Sequence, residues 1–237
     1  IENTVRGGCY RSRWLRDLSI SQDVNDLMAS IYQTEISPHT MPVHLGHLNY
    51  QPSKLEEAVD KWHHDTIPLD YVMMVSDPAT LSGGGFEYFL GTKMEAEELS
   101  KQGKTPPRDR VKAPKFPGPG YAVALHGNMV VHRGAPLTKP GERITMVNAY
   151  VSMDCLVDDQ SRSRDLIGID DPAALYAEWA KHASWRTQNR LKQIIDSMAF
   201  DQEPDQVLDQ LEFAANDLLK TINDMKAGPR EAQHYEQ

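Results

Sequence analysis

The sequence predicts a mainly β domain with helices on its flanks, and three observations predict it. Between residues 43 and 148 short apolar or alternating runs recur, punctuated by glycine, proline, asparagine and aspartate, as strands and their turns require. Beyond Pro172 the apolar period lengthens to three and four residues, the spacing of one helix face. At 237 residues the chain can bury a full core, and a barrel of this size with helical flanks forms one domain by default.

The elements follow in order. Val24, Leu27, Met28 and Ile31 fall at helical intervals and predict a short helix over Gln22–Tyr32 that packs on the barrel. Ahead of it Arg6, Arg11, Arg13 and Arg16 cluster among Gly7, Gly8, Tyr10 and Trp14, a run that reads as a solvated or salt-bridged leading segment. A strand over Val43–Tyr50 comes next. Its His44 and His47 differ by three, which does not suit one strand face, so these and His39 read as surface or cleft residues rather than metal ligands. Ile67–Ser76 is apolar almost throughout, with a bend at Pro68, as in a strand buried on both sides.

After the Gly83-Gly84-Gly85 turn, Phe86–Leu90 reads as the next strand. Tyr71, Tyr88 and Asn49 are candidate substrate contacts, the tyrosines being ordinary barrel core or rim on the plainer reading. Thr92–Pro119 turns polar and proline-rich and reads as a loop, part of 94–118 being a candidate lid over the barrel mouth. A strand pair resumes over Gly120–Val131 about a turn at His126-Gly127-Asn128, followed by Met129–His132 and the strand after Arg143. Helices are expected over Pro172–Phe200 and Pro204–Met225, the second stopped by Gly228-Pro229. In that helix Leu208, Leu211, Ala215, Leu218, Ile222 and Met225 repeat as a seam. Its partner is either the preceding helix, through Trp179, Leu191, Ile194 and Ile195, or a second copy of the chain in a homodimer.

The chemistry concentrates in Trp62-His63-His64-Asp65-Thr66 and Val131-His132-Arg133-Gly134. On a strand, side chains at i and i+2 share a face, so His63 and Asp65 point together while His64 points away. His132 is the third ligand in waiting. Two imidazoles and a carboxylate on one face of an octahedral metal leave open positions, the arrangement that suits Fe(II) oxygen chemistry. Ten residues separate His132 from Arg143, with Pro136, Pro140 and Gly141 among them, so the chain turns and returns beside the metal. There Arg143 offers a planar fork for a carboxylate, and Thr145 adds a hydroxyl from the same strand face. Parity turns Arg133 away from His132 and Asn148 away from Arg143.

The ordered set of His-x-Asp, a distal His 67 residues after Asp65, and Arg-x-Thr resembles the motif of the Fe(II)/2-oxoglutarate-dependent dioxygenase superfamily, which often carries Ser where Thr145 stands. The resemblance covers roughly residues 44–153 and implies a double-stranded β-helix, or jelly roll, with the metal at one mouth. It implies that His63, Asp65 and His132 bind Fe(II), that Arg143 and Thr145 hold the distal carboxylate of 2-oxoglutarate, and that O2 is the oxidant. A helical segment over 172–226 completes one catalytic domain over 1–237. The expected reaction is oxidation of a C–H bond by hydroxylation, desaturation or cyclisation on a small molecule, amino-acid-like or a secondary metabolite. Asp65 argues against halogenation, because halogenases of this superfamily carry Gly or Ala at that position. Two other classes stay open: a cupin-like metal isomerase or hydrolase that uses the triad without 2-oxoglutarate, and a non-catalytic barrel scaffold.

Composition narrows the partners. A net charge of −9 argues against a nucleic-acid surface, which needs clustered Lys and Arg. No stretch reaches membrane-spanning length, and Cys9 and Cys155 make no disulfide framework. A reducing, cytoplasmic location is expected. The chain starts at Ile1 with no signal peptide visible, which leaves room for residues upstream.

Overall fold

The computed structural model of the protein describes residues 3–52, 54–55, 57–230 and 233–236. Its strands are β1 (Thr4–Val5), β2 (Ile36–Pro38), β3 (His47–Tyr50), β4 (Asp60–His63), β5 (Leu69–Met74), β6 (Phe86–Phe89), β7 (Val111–Lys112), β8 (Ala122–Leu125), β9 (His132–Gly134) and β10 (Ile144–Ser152). They form two antiparallel sheets. The larger runs β1-β3-β10-β5-β8, with β2 also paired to β10, and the smaller runs β4-β9-β6-β7.

The apolar runs of β5 and β10 are explained by cover on both faces. Leu69 and Tyr71 on β5, with Met146 and Tyr150 on β10, pack against Leu15 and Met28 of α1 (Arg13–Ser19) and α2 (Gln22–Tyr32). The alternate residues Val72, Val147 and Ala149 pack with Phe86 of the smaller sheet. Helices therefore shield one face of the larger sheet, and the smaller sheet closes the other. This two-sided burial is what a near-continuous hydrophobic strand encodes.

Helix accounts for 40% of the structure and strand for 19%, so the expectation of a mainly β chain is corrected to a mixed one. Most of that helix lies in the three helices the sequence predicts, and two shorter ones add to it. α1 is capped by Ser12, whose Oγ accepts from the Leu15 N–H. α3 (Lys93–Lys101) falls inside the segment read as loop. It starts with a reciprocal capping box: Glu95 N–H donates to Thr92 Oγ1 at 3.1 Å and Thr92 N–H to Glu95 Oε2 at 2.8 Å. Only Ala96 of α3 is buried, against Trp62, Phe89 and Val131, so charge density hid the helical period.

The leading arginines divide: Arg6 forms a bidentate pair with Asp170, whereas Arg16 pairs with Asp17 on the surface. The carboxyl-terminal helices are α4 (Pro172–Ser197) and α5 (Pro204–Ala227). Arg190 of α4 is wholly buried, stacks on Phe213 at 3.5 Å and pairs with Asp217 at 2.8 Å. α5 thus meets α4 with a partly polar face. Of the residues expected to receive its seam, Trp179 and Ile194 are buried in the protein, but Leu191 and Ile195 are exposed. Among the described residues no helix is long and apolar enough to cross a membrane.

Candidate metal centre

Strand pairing builds the site. β4 and β9 are antiparallel, with His63 directly opposite His132, and the ring centroids lie 4.4 Å apart. Two residues beyond His63, Asp65 is anchored by its N–H to Gly127 O at 2.8 Å, on the turn that precedes β9. One ligand atom from each of His63, Asp65 and His132 lies within 4.8 Å of the other two.

The hydrogen bonds prepare the imidazoles. His63 Nδ1–H donates to Lys61 O at 2.7 Å and His132 Nδ1–H to Val130 O at 2.9 Å. Each bond places a proton on Nδ1 and turns Nε2 toward Asp65, whose oxygens lie 3.5 Å from His63 Nε2 and 3.4 Å from His132 Nε2. Asp65 Oδ2 is buried with no hydrogen-bond partner, and a cation between the three groups would satisfy it. The donor set fits a divalent transition metal with open coordination positions.

Charge is balanced toward the cation. Burial works against a charged His63, but the carboxylates of Asp60 and Asp65 outweigh it and push the imidazolium up to about 9. Burial alone would raise Asp65; His132 and His63 instead hold its carboxyl down, at about 2. Burial lowers His132 despite the neighbouring Asp65. A metal held by His63, Asp65 and His132 would take the place of the His63 proton and supply the positive charge that these carboxylates favour.

The triad opens into a cavity of about 240 Å³ that Arg143 and Thr145 also line. Arg143 is 2% exposed, pushed down to about 10 by burial, and has no carboxylate in ion-pair reach among the described residues. Its Nε donates to Gly84 O at 2.6 Å, and its Nη1 lies 3.4 Å from Thr145 Oγ1. Gly84 adopts φ +71°, and a Cβ there would meet Leu137 at 2.8 Å and the Arg143 side chain at 3.0 Å, so the triple-glycine turn lets the backbone reach the guanidinium.

Asn49 lines the cavity opposite Thr145 in the β3–β10 register. The other two candidate substrate contacts lie elsewhere. Tyr71 is packed in the core beneath α1 and α2, on the face of β5 opposite the cavity-lining Val72, whereas Tyr88 shares a strand face with the cavity-lining Phe86, opposite His132 in the β6–β9 register, and packs beside that cluster without itself lining the cavity. Residues 94–118 do not line it either: Ala96 docks α3 against Trp62, Phe89 and Val131, and Phe116 packs behind the cavity-lining Ile67, Val72 and Phe86. Arg162, Ile169, Gln233 and His234 border the cavity instead. His64 points away from the triad, toward Arg162 and Tyr235.

No family model matches the sequence, and no curated protein is significantly similar to it. Among solved structures, the chain matches the non-heme alpha ketoglutarate dependent epimerase SnoN from nogalamycin biosynthesis at 13% identity and a TM-score of 0.44, over 63% of this chain and 62% of that one. It matches EctD from S. alaskensis, solved with 2-oxoglutarate and 5-hydroxyectoine, at 14% identity and 0.46, over 63% and 56%. The non-heme monooxygenase ThoJ in its apo form matches at 14% and 0.45, over 79% and 78%. The chain is similar to these non-heme enzymes. It spans about three fifths of the length of the first two.

Of three further groups at the site, His44 and His47 were read from the sequence as surface or cleft residues and line the cavity, and Asp70 escaped the reading. His47 Nδ1 accepts from Arg6 Nη1 at 3.3 Å, which puts the ring proton on a buried Nε2 without a partner. Burial and Arg6 keep this imidazole neutral, at about 3. His44 likewise lines the cavity with an unpartnered Nε2, from a tight turn over Pro42–His44 rather than from the strand. Asp70 is wholly buried beside Asp65, and burial together with that neighbour raises its carboxyl well above the ordinary range. Gly127 makes room for both carboxyls: a Cβ there would overlap Asp70 Oδ2 and lie 2.9 Å from Asp65 Cβ and Oδ2. Gly127→Ala is therefore expected to lower metal affinity by at least tenfold through displacement of Asp65, within the range known for residues that orient ligands. Metal titration of the purified variant checks it, and unchanged affinity would mean that Asp70 moves in place of Asp65.

Proposed function

We propose that the protein is a non-haem Fe(II)- and 2-oxoglutarate-dependent oxygenase that oxidises a C–H bond of a small polar molecule. The observation that carries this reading is the buried Arg143, beyond ion-pair distance of any carboxylate among the described residues, in the same cavity as the His63-Asp65-His132 group. A buried charge without a partner is costly, so a guanidinium kept in this state calls for an anionic ligand. His63, Asp65 and His132 would hold the iron, and Arg143 with Thr145 the far carboxylate of the cosubstrate. Iron with 2-oxoglutarate and O2 supplies the oxidising power when bound. The protein's own part is to orient both ligands and keep water from the cavity. His47 and Asn49, which share one face of β3, line the cavity and offer polar groups to the substrate. The two antiparallel sheets, with the metal group on the smaller one, support a jelly-roll core over 44–153 within one catalytic domain over 1–237, the helical segment 172–226 lying outside the core.

Anaerobic addition of Fe(II) and then 2-oxoglutarate to metal-free protein tests the reading. A visible metal-to-ligand charge-transfer band is expected. Iron binding without a band would favour the cupin-like isomerase or hydrolase, and no iron binding would leave the scaffold.

A further inference from the structure

Most of the apolar seam of α5 faces outward, Met225 excepted, which packs with Leu175, Tyr176 and Trp179. Leu208, Leu211, Leu218, Leu219 and Ile222 are 57%, 48%, 39%, 53% and 45% exposed, and Ala215 among them is also exposed. The face that meets α4 is carried instead by Phe213, Ala214 and Asp217. Beside the outward face, Leu191 and Ile195 of α4 line a groove of about 470 Å³ with Leu218, and Ile195 is 76% exposed. An apolar strip of this extent on one helical hairpin is the signature of an interaction surface.

Two features of α5 say what covers it. The first is symmetry: positions 208, 211, 215, 219 and 222 are spaced 3, 4, 4 and 3 residues apart and read alike in both directions about Ala215. An antiparallel copy places Leu208 over Ile222, Leu211 over Leu219 and the small Ala215 on itself, where two backbones must approach. The second is charge. Asp217 and Asp224 turn to Arg190 and Arg164 within the chain. The remaining charges are segregated, with Asp205, Asp209 and Glu212 in the first half and Lys220 and Lys226 in the second. Lys220 also lies 3.9 Å from Asp158 in an exposed pair, which contributes little. An antiparallel pairing sets Asp205 beside Lys226 of the other copy, whereas a parallel one stacks like charge on like. We propose that α5 forms a two-fold interface with α5 of a second copy of this chain, antiparallel and crossing at Ala215, an isologous contact.

Light scattering coupled to gel filtration on the full 237-residue chain tests this, with cross-linking as the second arm. The unaltered chain is expected at twice its 26.7 kDa mass at micromolar concentration. Leu219→Glu should weaken the dimer roughly 30-fold or more, the effect of losing a central apolar contact, with an unchanged circular dichroism spectrum. Lys226→Glu should weaken it, and Asp205→Lys in the same chain should restore it. Ala215→Cys should give a disulfide-linked dimer under mild oxidation, which the unaltered chain, with Cys155 buried and Cys9 half-buried, does not. A monomer at every concentration, a dimer indifferent to Leu219→Glu, or no cross-link from Ala215→Cys would each overturn the proposal. None of these readouts depends on iron or 2-oxoglutarate.

Discussion

His132→Ala is expected to abolish turnover and to lower Fe(II) affinity by at least 100-fold, a larger loss than the 10- to 100-fold typical of residues that only orient ligands. The reason is local. His132 is 4% exposed at the start of β9, directly across from His63, and among the described residues the metal-ligand group contains only these two imidazoles and Asp65. The variant also leaves Asp65 Oδ2 buried without its neighbour at 3.4 Å, so the remaining pair is both short of a donor and over-balanced in charge. The backbone is untouched, because His132 N–H and C=O belong to the ladder and only the ring is removed. The check is iron content after desalting, alongside a thermal melt of the apo protein. Iron retained at the level of the unaltered protein, with activity, would mean that the metal sits elsewhere.

The metal group was legible because its geometry is short-range: an i, i+2 pair on one strand needs only strand periodicity, and a distal histidine needs only to precede a returning strand. The same logic turned His64 and Arg133 away from the triad, and Arg133 pairs with Glu87. What was not legible depends on three-dimensional contact. Nothing in the local sequence brings Arg6 across from the amino-terminal segment to pair with Asp170 and hold His47. Asp70 sits within an apolar run where a single acid looks like a tolerated exception, and only the packing of Gly127 and Asp65 around it gives it meaning. Tyr71 lies on the helix-covered side because a strand with both faces buried offers two interiors, and hydrophobicity does not say which one holds the cavity. α3 was hidden by its charge, although Thr92 and Glu95 spell its capping box, a signal of the kind that could have located it.

Arg143→Ala is expected to raise the 2-oxoglutarate requirement roughly 30-fold to a few thousand-fold while leaving iron binding intact. Removing one member of a buried charge-assisted pair costs about 2–5 kcal/mol, because the other charge remains in a cavity with nothing to meet it. The range is wide because Thr145 stays in place and can still donate its hydroxyl to the carboxylate. Arg143→Lys should recover only part of the loss, since an ammonium is a point charge and cannot reproduce the fork that Gly84 O positions through Nε. Stability separates a ligand-binding role from a structural one. If Arg143 served the fold, its removal would lower the melting temperature of the protein without ligand. Its charge is 2% exposed, with no carboxylate in reach among the described residues, so deletion instead relieves a desolvation cost and the apo protein should melt no lower than before. Addition of 2-oxoglutarate should then stabilise the unaltered protein and leave the variant nearly unmoved, by mass action on the folded state. A variant that melts lower yet keeps its 2-oxoglutarate response would move the carboxylate site away from Arg143.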